Sequence, residues 1–594
     1  MAGSGSRRWL AKLKVVGDMM VAPFLLRQIV FARNARPGAR ILAALLIAFG
    51  LWAAPWPAIA ANSKPAATDG KSKPVVEKTA TADKKPAADD DDSKDSDASK
   101  STKTASKAAK PKPTKIAAKA PAQRADPITT NSPQTLPQAM ANALRVVSGA
   151  SRWGVKVILL ETGASLFDTN GNGLFVPASN RKLFTGALAL DQLGPEFQFR
   201  TYLYRTGNIT PDGTLEGNLV IRPQGDPTFS NRLAKGAPED WIYRDWVTKC
   251  QAANIKNVTG ELIVDCQDWN LNDLAPKGWA ARIQNDYYAP HTSPLTLNEN
   301  LLEFKVRPGE KGKPGIIDFV PAAVGYPVIN QTVTGTGPVG VFIKRSPEGA
   351  IVISGNPPTK NTDKIYSLPG DNPALFAAAV FRSHLLAAGI TVKGALRIST
   401  QKNAVPAPTA ENVVAVYISP PMREMVKTMM KDSNNHFAEQ LYVAVSAVKT
   451  GRGGYSQSKA IEQQFLQRAG VNTRECNFED GSGLSLQNKV SPTHVCQLLA
   501  YMRRHDAASA YFDSLPIAGR DGTLRRRMQN ENVNQRVHAK TGYVNQVVCL
   551  SGYLTLQPSA TLCFSFLVND VRTGTDAIKG TQDRLCEILS LLQL

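Results

Sequence analysis

The chain has 594 residues, 43% of them hydrophobic, and 70 Lys and Arg against 49 Asp and Glu give a formal charge of +21. It is too long for one ordinary domain and apolar enough for real cores, so two or more folded units plus non-globular sequence are expected. The basic residues are spread along the chain with no aromatic-interleaved stripe, which argues against a nucleic-acid reader and leaves a bias toward anionic surfaces such as membranes or wall polymers.

Residues 1–61 read as a signal peptide or membrane anchor. Arg7, Arg8, Lys12, Lys14, Arg27, Arg33, Arg36 and Arg40 precede the apolar run "ILAALLIAFGLWAAPWPAIAA", which ends in the small-x-small site Ala58-Ile59-Ala60. The positive flank stays cytoplasmic, so the rest is expected in the periplasm. The long basic flank leaves retention as an anchor open beside cleavage near Ala60. "SRRWLAK" lies too far from the apolar core for a twin-arginine signal. Residues 62–130 are rich in Lys, Ala, Asp and Pro and hold no aromatic residue. Such a linker cannot bury enough apolar surface to fold and is expected to be a disordered tether.

Residues 131–200 then open a folded unit. Strands are expected at Val155–Glu161 and Ser165–Asp168, joined by a Thr-Gly turn, and a helix from about Ser179 carrying "RKLFTGALALDQL". Residues 201–405 hold short strands and turns and read as one or two inserted β-rich modules. Residues 406–594 complete the first unit. They end in three antiparallel strands, with turns near Gly542–Asn545 and Gln557–Ala560. A closing helix then presents Ile578, Leu585, Ile588, Leu589 and Leu592. Strands at both ends suggest one sheet covered by helices, an α/β (α+β) architecture.

The seven cysteines, Cys250, Cys266, Cys476, Cys496, Cys549, Cys563 and Cys586, form no CxxC pair, and the six histidines are scattered. No metal and no cofactor are expected. Cys250 and Cys266 are near enough in sequence to bridge in an oxidising compartment.

Three short motifs carry chemistry. Ser179 and Lys182 stand at i and i+3, neighbours on a helix. A serine needs a base to become a nucleophile, and a lysine is a base only when neutral, which burial and nearby positive charge favour. Ser433-Asn434-Asn435 lies between helical patterns. Its hydroxyl suits a proton relay to a leaving amine, while either asparagine also suits a plain cap. Lys540-Thr541-Gly542 lies on a strand, where an edge can pair with an extended peptide. Lys540 and Thr541 suit a carboxylate, and Gly542 permits close approach. Each motif alone is weak. Their order and contexts together match the S-x-x-K, S-D-N, K-T-G signature of penicillin-binding proteins and class A β-lactamases, with S-N-N in the middle position.

With "PASNRKLFT", "GDPTF", "SNNHFAEQL", "DGSGLS", "LPIAGRDGTL" and "HAKTGYV", residues 135–594 resemble the class C low-molecular-mass penicillin-binding proteins, D-alanyl-D-alanine carboxypeptidase/endopeptidases. The resemblance implies a penicillin-binding-protein/β-lactamase-like antiparallel sheet flanked by helices, with a large insertion between the first two motifs. It implies Ser179 as nucleophile, Lys182 as base, Ser433 as relay, Asn435 as substrate ligand, and Lys540 and Thr541 on the terminal carboxylate. The N–H groups of Ser179 and Tyr543, the latter beside Gly542, would form the oxyanion hole. Asp265 falls where the family places an acidic residue near the peptide side chain. Leu486 stands where the family commonly has arginine, which leaves selectivity for the stem peptide's diamino acid open. Asp480, Gly481 and Ser482 are expected to shape a turn, as are Asp521, Gly522 and Thr523. The implied partners are peptidoglycan stem peptides and β-lactam inhibitors, with membrane association through the N-terminal segment. A β-lactamase and an idle wall-binding scaffold are the alternatives. No nucleic acid is expected.

Overall fold

A computed structural model describes residues 134–594 except 147, 148, 150, 321–325, 336, 359–363, 557–559 and 573; the expected export signal and linker lie outside these residues. Among the described residues no helix is long and apolar enough to cross a membrane.

The main sheet has five antiparallel strands: β1 (Arg152–Leu159), β2 (Ser165–Thr169), β3 (Val537–Val544), β4 (Val547–Thr555) and β5 (Thr561–Asn569). Their spatial order is β3-β4-β5-β1-β2, so the N-terminal hairpin is joined to the C-terminal meander through β1 and β5. Strands β4 and β5 are buried almost throughout, because helices cover both faces. On one face, Val155, Leu550, Phe564 and Phe566 pack with α1 (Leu136–Arg145) and α8 (Thr575–Ser590). All five expected apolar residues of the closing helix segment, Ile578 to Leu592, lie in that core. On the other face lie α2 (Arg181–Leu193), α3 (Met422–Lys431), α4 (Asn435–Thr450), α5 (Tyr455–Arg468), α6 (Pro492–Arg503) and α7 (Ala508–Ser514).

Two details differ from the sequence reading. The β3–β4 turn is Asn545-Gln546, with Asn545 at φ +47°, and Gly542 sits within the strand opposite Cys549. Ser179 lies in a 3-10 turn, Ala178–Asn180, and the α-helix begins at Arg181. Ala178 has φ +46°, which breaks regular helix upstream of the serine.

Two strands that pair with each other, Arg200–Arg205 and Val413–Ile418, flank the expected inserted region. These belong to a mixed five-stranded sheet that includes parallel pairs between Leu219–Arg222, Leu262–Asp265 and Leu396–Ser399. Helices Trp241–Ala252 and Pro373–Ala387 supply core residues beside it. Two three-stranded sheets built from residues 301–369 form a second β-rich part. All seven cysteines are free, Cys250 and Cys266 included.

Candidate active site

Four pieces of chain converge on one crevice. The 3-10 turn presents Ser179, and the first turn of α2 presents Lys182 one turn on. Every residue of α2 from Arg181 to Leu190 is buried, so Lys182 sits in a dry environment although its sequence neighbours give no amphipathic pattern. Burial lowers the Lys182 amine to about 7, against the opposing pull of Glu439 and Asp480.

The Lys182 amine has three near partners: Asn435 Oδ1 at 2.6 Å, the Ser482 carbonyl at 2.9 Å and Ser179 Oγ at 3.0 Å. The Asn435 amide orientation is fixed because its Nδ2 donates to the Tyr288 carbonyl at 2.8 Å. Asn435 Oδ1 and the Ser482 carbonyl accept only. A neutral amine has two N–H bonds, which those oxygens consume. Its lone pair is then left for the Ser179 hydroxyl, the geometry of a general base.

The second motif sits in the link between α3 and α4. Asn434 is the cap of α4, its side chain accepting from the Phe437 N–H at 2.9 Å. Ser433 has φ +56°, a left-handed conformation that non-glycine residues adopt at a cost of about 1 kcal/mol or more. That twist sends its hydroxyl to Lys540, whose Nζ donates to Ser433 Oγ at 2.8 Å. Burial pushes the Lys540 amine well below its usual range, and the Lys182 charge adds to the effect.

Strand β3 carries Lys540 to this point and packs against the serine turn. Asn180 Nδ2 donates to the Lys540 carbonyl at 2.9 Å. A Cβ on Gly542 would lie 2.9 Å from the Pro177 carbonyl, so this glycine lets strand and turn approach each other. Thr541 donates to Thr523 Oγ1 at 2.8 Å, and Tyr543 is 62% exposed.

A buried frame stands behind the crevice. Asp480 accepts from the Gly483 and Ser485 N–H groups, Asn488 Nδ2 and Trp279 Nε1. Glu439 accepts from the Gly481 and Ser482 N–H groups and from the Tyr455 hydroxyl, so it sets the loop whose carbonyl holds Lys182. Burial and the charge of Asp480 raise the Glu439 carboxyl. Arg181 is fully buried and pairs with both oxygens of Glu462, at 2.7 and 2.9 Å.

Ser179, Lys182 and Asn435 form one hydrogen-bonded group and Ser433 with Lys540 another, and Asn180, next to Ser179, ties the Lys540 strand to the serine turn. Asp265 is not part of this linkage. Its side chain is 1% exposed, accepts from Gln267 and lies 3.7 Å from Arg222. The Tyr288 carbonyl and Glu439 were not expected at the site, while Ser482 and Thr523 were expected only to shape turns, that of Thr523 beside the cleft. Ser482, Thr523 and Glu439 fall in stretches that carry the family resemblance. The Tyr288 carbonyl leaves no mark in sequence. Among the described residues no group of three or more His, Cys, Asp or Glu is placed to hold a metal ion.

Residues 138–591 match the D-Ala-D-Ala carboxypeptidase 3 (S13) family. The chain belongs to that family. This D,D-peptidase is 30% identical over 437 residues to a D-alanyl-D-alanine carboxypeptidase of Actinomadura sp. (strain R39), covering 71% of this chain and 78% of the relative. It is 27% identical to the D-alanyl-D-alanine carboxypeptidase DacB of Haemophilus influenzae, covering 68% of this chain and 83% of that one. The crystal structure of penicillin binding protein 4 (dacB) from Haemophilus influenzae superposes with a TM-score of 0.65 at 23% identity, over 75% of this chain and 98% of that one. A second structure of that protein, complexed with a β-lactam, gives a TM-score of 0.61 at 24% identity. The fold is therefore the penicillin-binding-protein/β-lactamase type with an insertion. This serine peptidase acts on peptidoglycan, outside the cytoplasm.

Proposed function

We propose that Ser179 attacks the carbonyl between two D-alanines and that Lys182 takes its proton. The observation that carries this reading is the Lys182 amine, whose two obligate acceptors leave its lone pair to Ser179 Oγ. The oxyanion formed at the carbonyl is held by the N–H groups of Ser179 and Tyr543. As the C–N bond breaks, the leaving amine takes a proton from Ser433, which is made good by the proton that Lys182 took from Ser179, and an ester to Ser179 is left. Water then attacks the ester and regenerates the serine. Asn435 holds a substrate amide while steadying Lys182.

Lys540 and Thr541 hold the terminal carboxylate. Two protonated amines in one dry crevice repel each other, and a bound carboxylate restores the Lys540 charge. The same chemistry serves D-Ala-D-Ala termini and D-amino-acid cross-links, which makes carboxypeptidase and endopeptidase action two substrates of one site. β-Lactams acylate Ser179 and leave slowly. The protein acts in the periplasm, with its N-terminal segment as export signal or membrane tether.

Labelling with fluorescent penicillin, followed by mass mapping of the adduct, tests this. A stable adduct on the peptide holding Ser179, lost in Ser179→Ala, is expected. An adduct elsewhere overturns the assignment, and rapid turnover of penicillin points to a β-lactamase.

A further inference from the structure

The inserted region reaches the loop that carries Ser433. It does so through a turn, Asn298–Asn300, in which three successive non-glycine residues have φ +48°, +54° and +60°. Such backbone persists only where its surroundings over-determine it. Here the Asn298 N–H donates to the Phe229 carbonyl at 2.8 Å, Asn300 Nδ2 to the His291 carbonyl at 2.8 Å, and the Gly370 N–H to the Asn300 carbonyl at 2.9 Å.

The turn aims Glu299 at the catalytic unit. Its side chain is 12% exposed, and both oxygens are engaged. Oε2 accepts from Asn434 Nδ2 at 2.8 Å, and Oε1 pairs with Arg232. Arg232 Nη1 lies 3.4 Å from Asp432 Oδ2. The residues on either side of Ser433 are therefore both tied to the insert. Ser433 itself is in a left-handed conformation that its own preferences do not favour.

We infer that Glu299, with Arg232, is a positioning residue that holds the 432–434 loop so that the Ser433 hydroxyl meets Lys540. The inference rests on the relay role proposed for Ser433. The insert then contributes to the chemical step as well as flanking the crevice. A carboxylate suits the task because one group can accept from the Asn434 amide and pair with a guanidinium at the same time.

The test is a double-mutant cycle on hydrolysis of a peptide ending in D-Ala-D-Ala, with E299A, S433A and the double variant. Alone, E299A is expected to lower kcat about tenfold while KM stays within about twofold. E299Q keeps an oxygen for Asn434 Nδ2 and is expected to recover most of the rate. In the S433A background, E299A should change little. Unchanged kcat in E299A overturns the inference, as does an equal loss in both backgrounds. Should E299A not fold, R232Q is read in the same cycle, since the Arg232 side chain is 38% exposed. An inactive wild type sinks the functional reading and this role together. An active wild type indifferent to E299A sinks this role alone.

Discussion

Lys182 owes its chemistry to the fold. Burial holds its amine near 7, and only the neutral form can accept the Ser179 proton. Acylation by penicillin should therefore rise about tenfold per pH unit below 7 and level off above it. Glu439 pulls the Lys182 amine upward, so Glu439→Gln should move that limb to lower pH. Acylation rates between pH 5.5 and 8.5 check both statements. A limb that stays in place in the variant would remove Glu439 from the account. The i,i+3 spacing made Ser179 and Lys182 readable in sequence. The Ser482 and Tyr288 carbonyls were not readable, because any residue brings a carbonyl and only folding decides where it points. The S-N-N motif left its cap ambiguous. The structure gives the cap to Asn434 and frees Asn435 for the crevice.

At the scale of elements, α2 answers why a hydroxyl and an amine stand in an apolar run. The helix is enclosed by its neighbours, and the enclosure dries the amine. Enclosure also buries Arg181, whose guanidinium lies 4.3 Å from the Phe478 ring centroid and 5.0 Å from that of Tyr442. Glu462 is its carboxylate partner. Glu462→Gln leaves a buried cation without its counter-charge, and the expected loss of stability is about 3–5 kcal/mol. Thermal or denaturant unfolding measures it, and a loss below about 1 kcal/mol would mean that water reaches the guanidinium. The strand pattern of residues 537–569 was legible because β3, β4 and β5 are rich in β-branched and aromatic residues. The first turn, expected near Gly542–Asn545, falls at Asn545-Gln546, and Gly542 stays within β3. Its actual use is the approach of β3 to Pro177, a long-range fact that no local window contains.

For the whole molecule, the insert was legible as β-rich but not in its topology. Its parallel pairs arise from strands separated by helices, and short strands carry no signal for partner or direction. The same limit applies to Asp265, a strand-end carboxylate whose burial beside Arg222 and Gln267 no local pattern shows. The insert meets the catalytic unit near His436, which is buried with neither ring nitrogen hydrogen-bonded. Burial lowers its imidazole to about 4, against 6.5 for the free side chain. The unfolded chain therefore binds the proton first, and stability is lost as pH falls from about 6.5 toward 4. The full effect is about 3 kcal/mol, at roughly 1.4 kcal/mol for each tenfold in proton affinity. His436→Phe should show a shallower fall in Tm over that interval, and parallel curves would refute the assignment.

The stitching of β1 to β5 has a consequence for biogenesis. A ribosome delivers Ser179 and Lys182 long before it delivers Lys540, and β1 has no partner on its inner side until residues 561–569 arrive. A truncated or half-threaded polypeptide thus carries the nucleophile but no completed crevice around it. Hydrolytic power against the wall is therefore expected only once the last strand has locked into register, which would make completion of the chain its own safety catch.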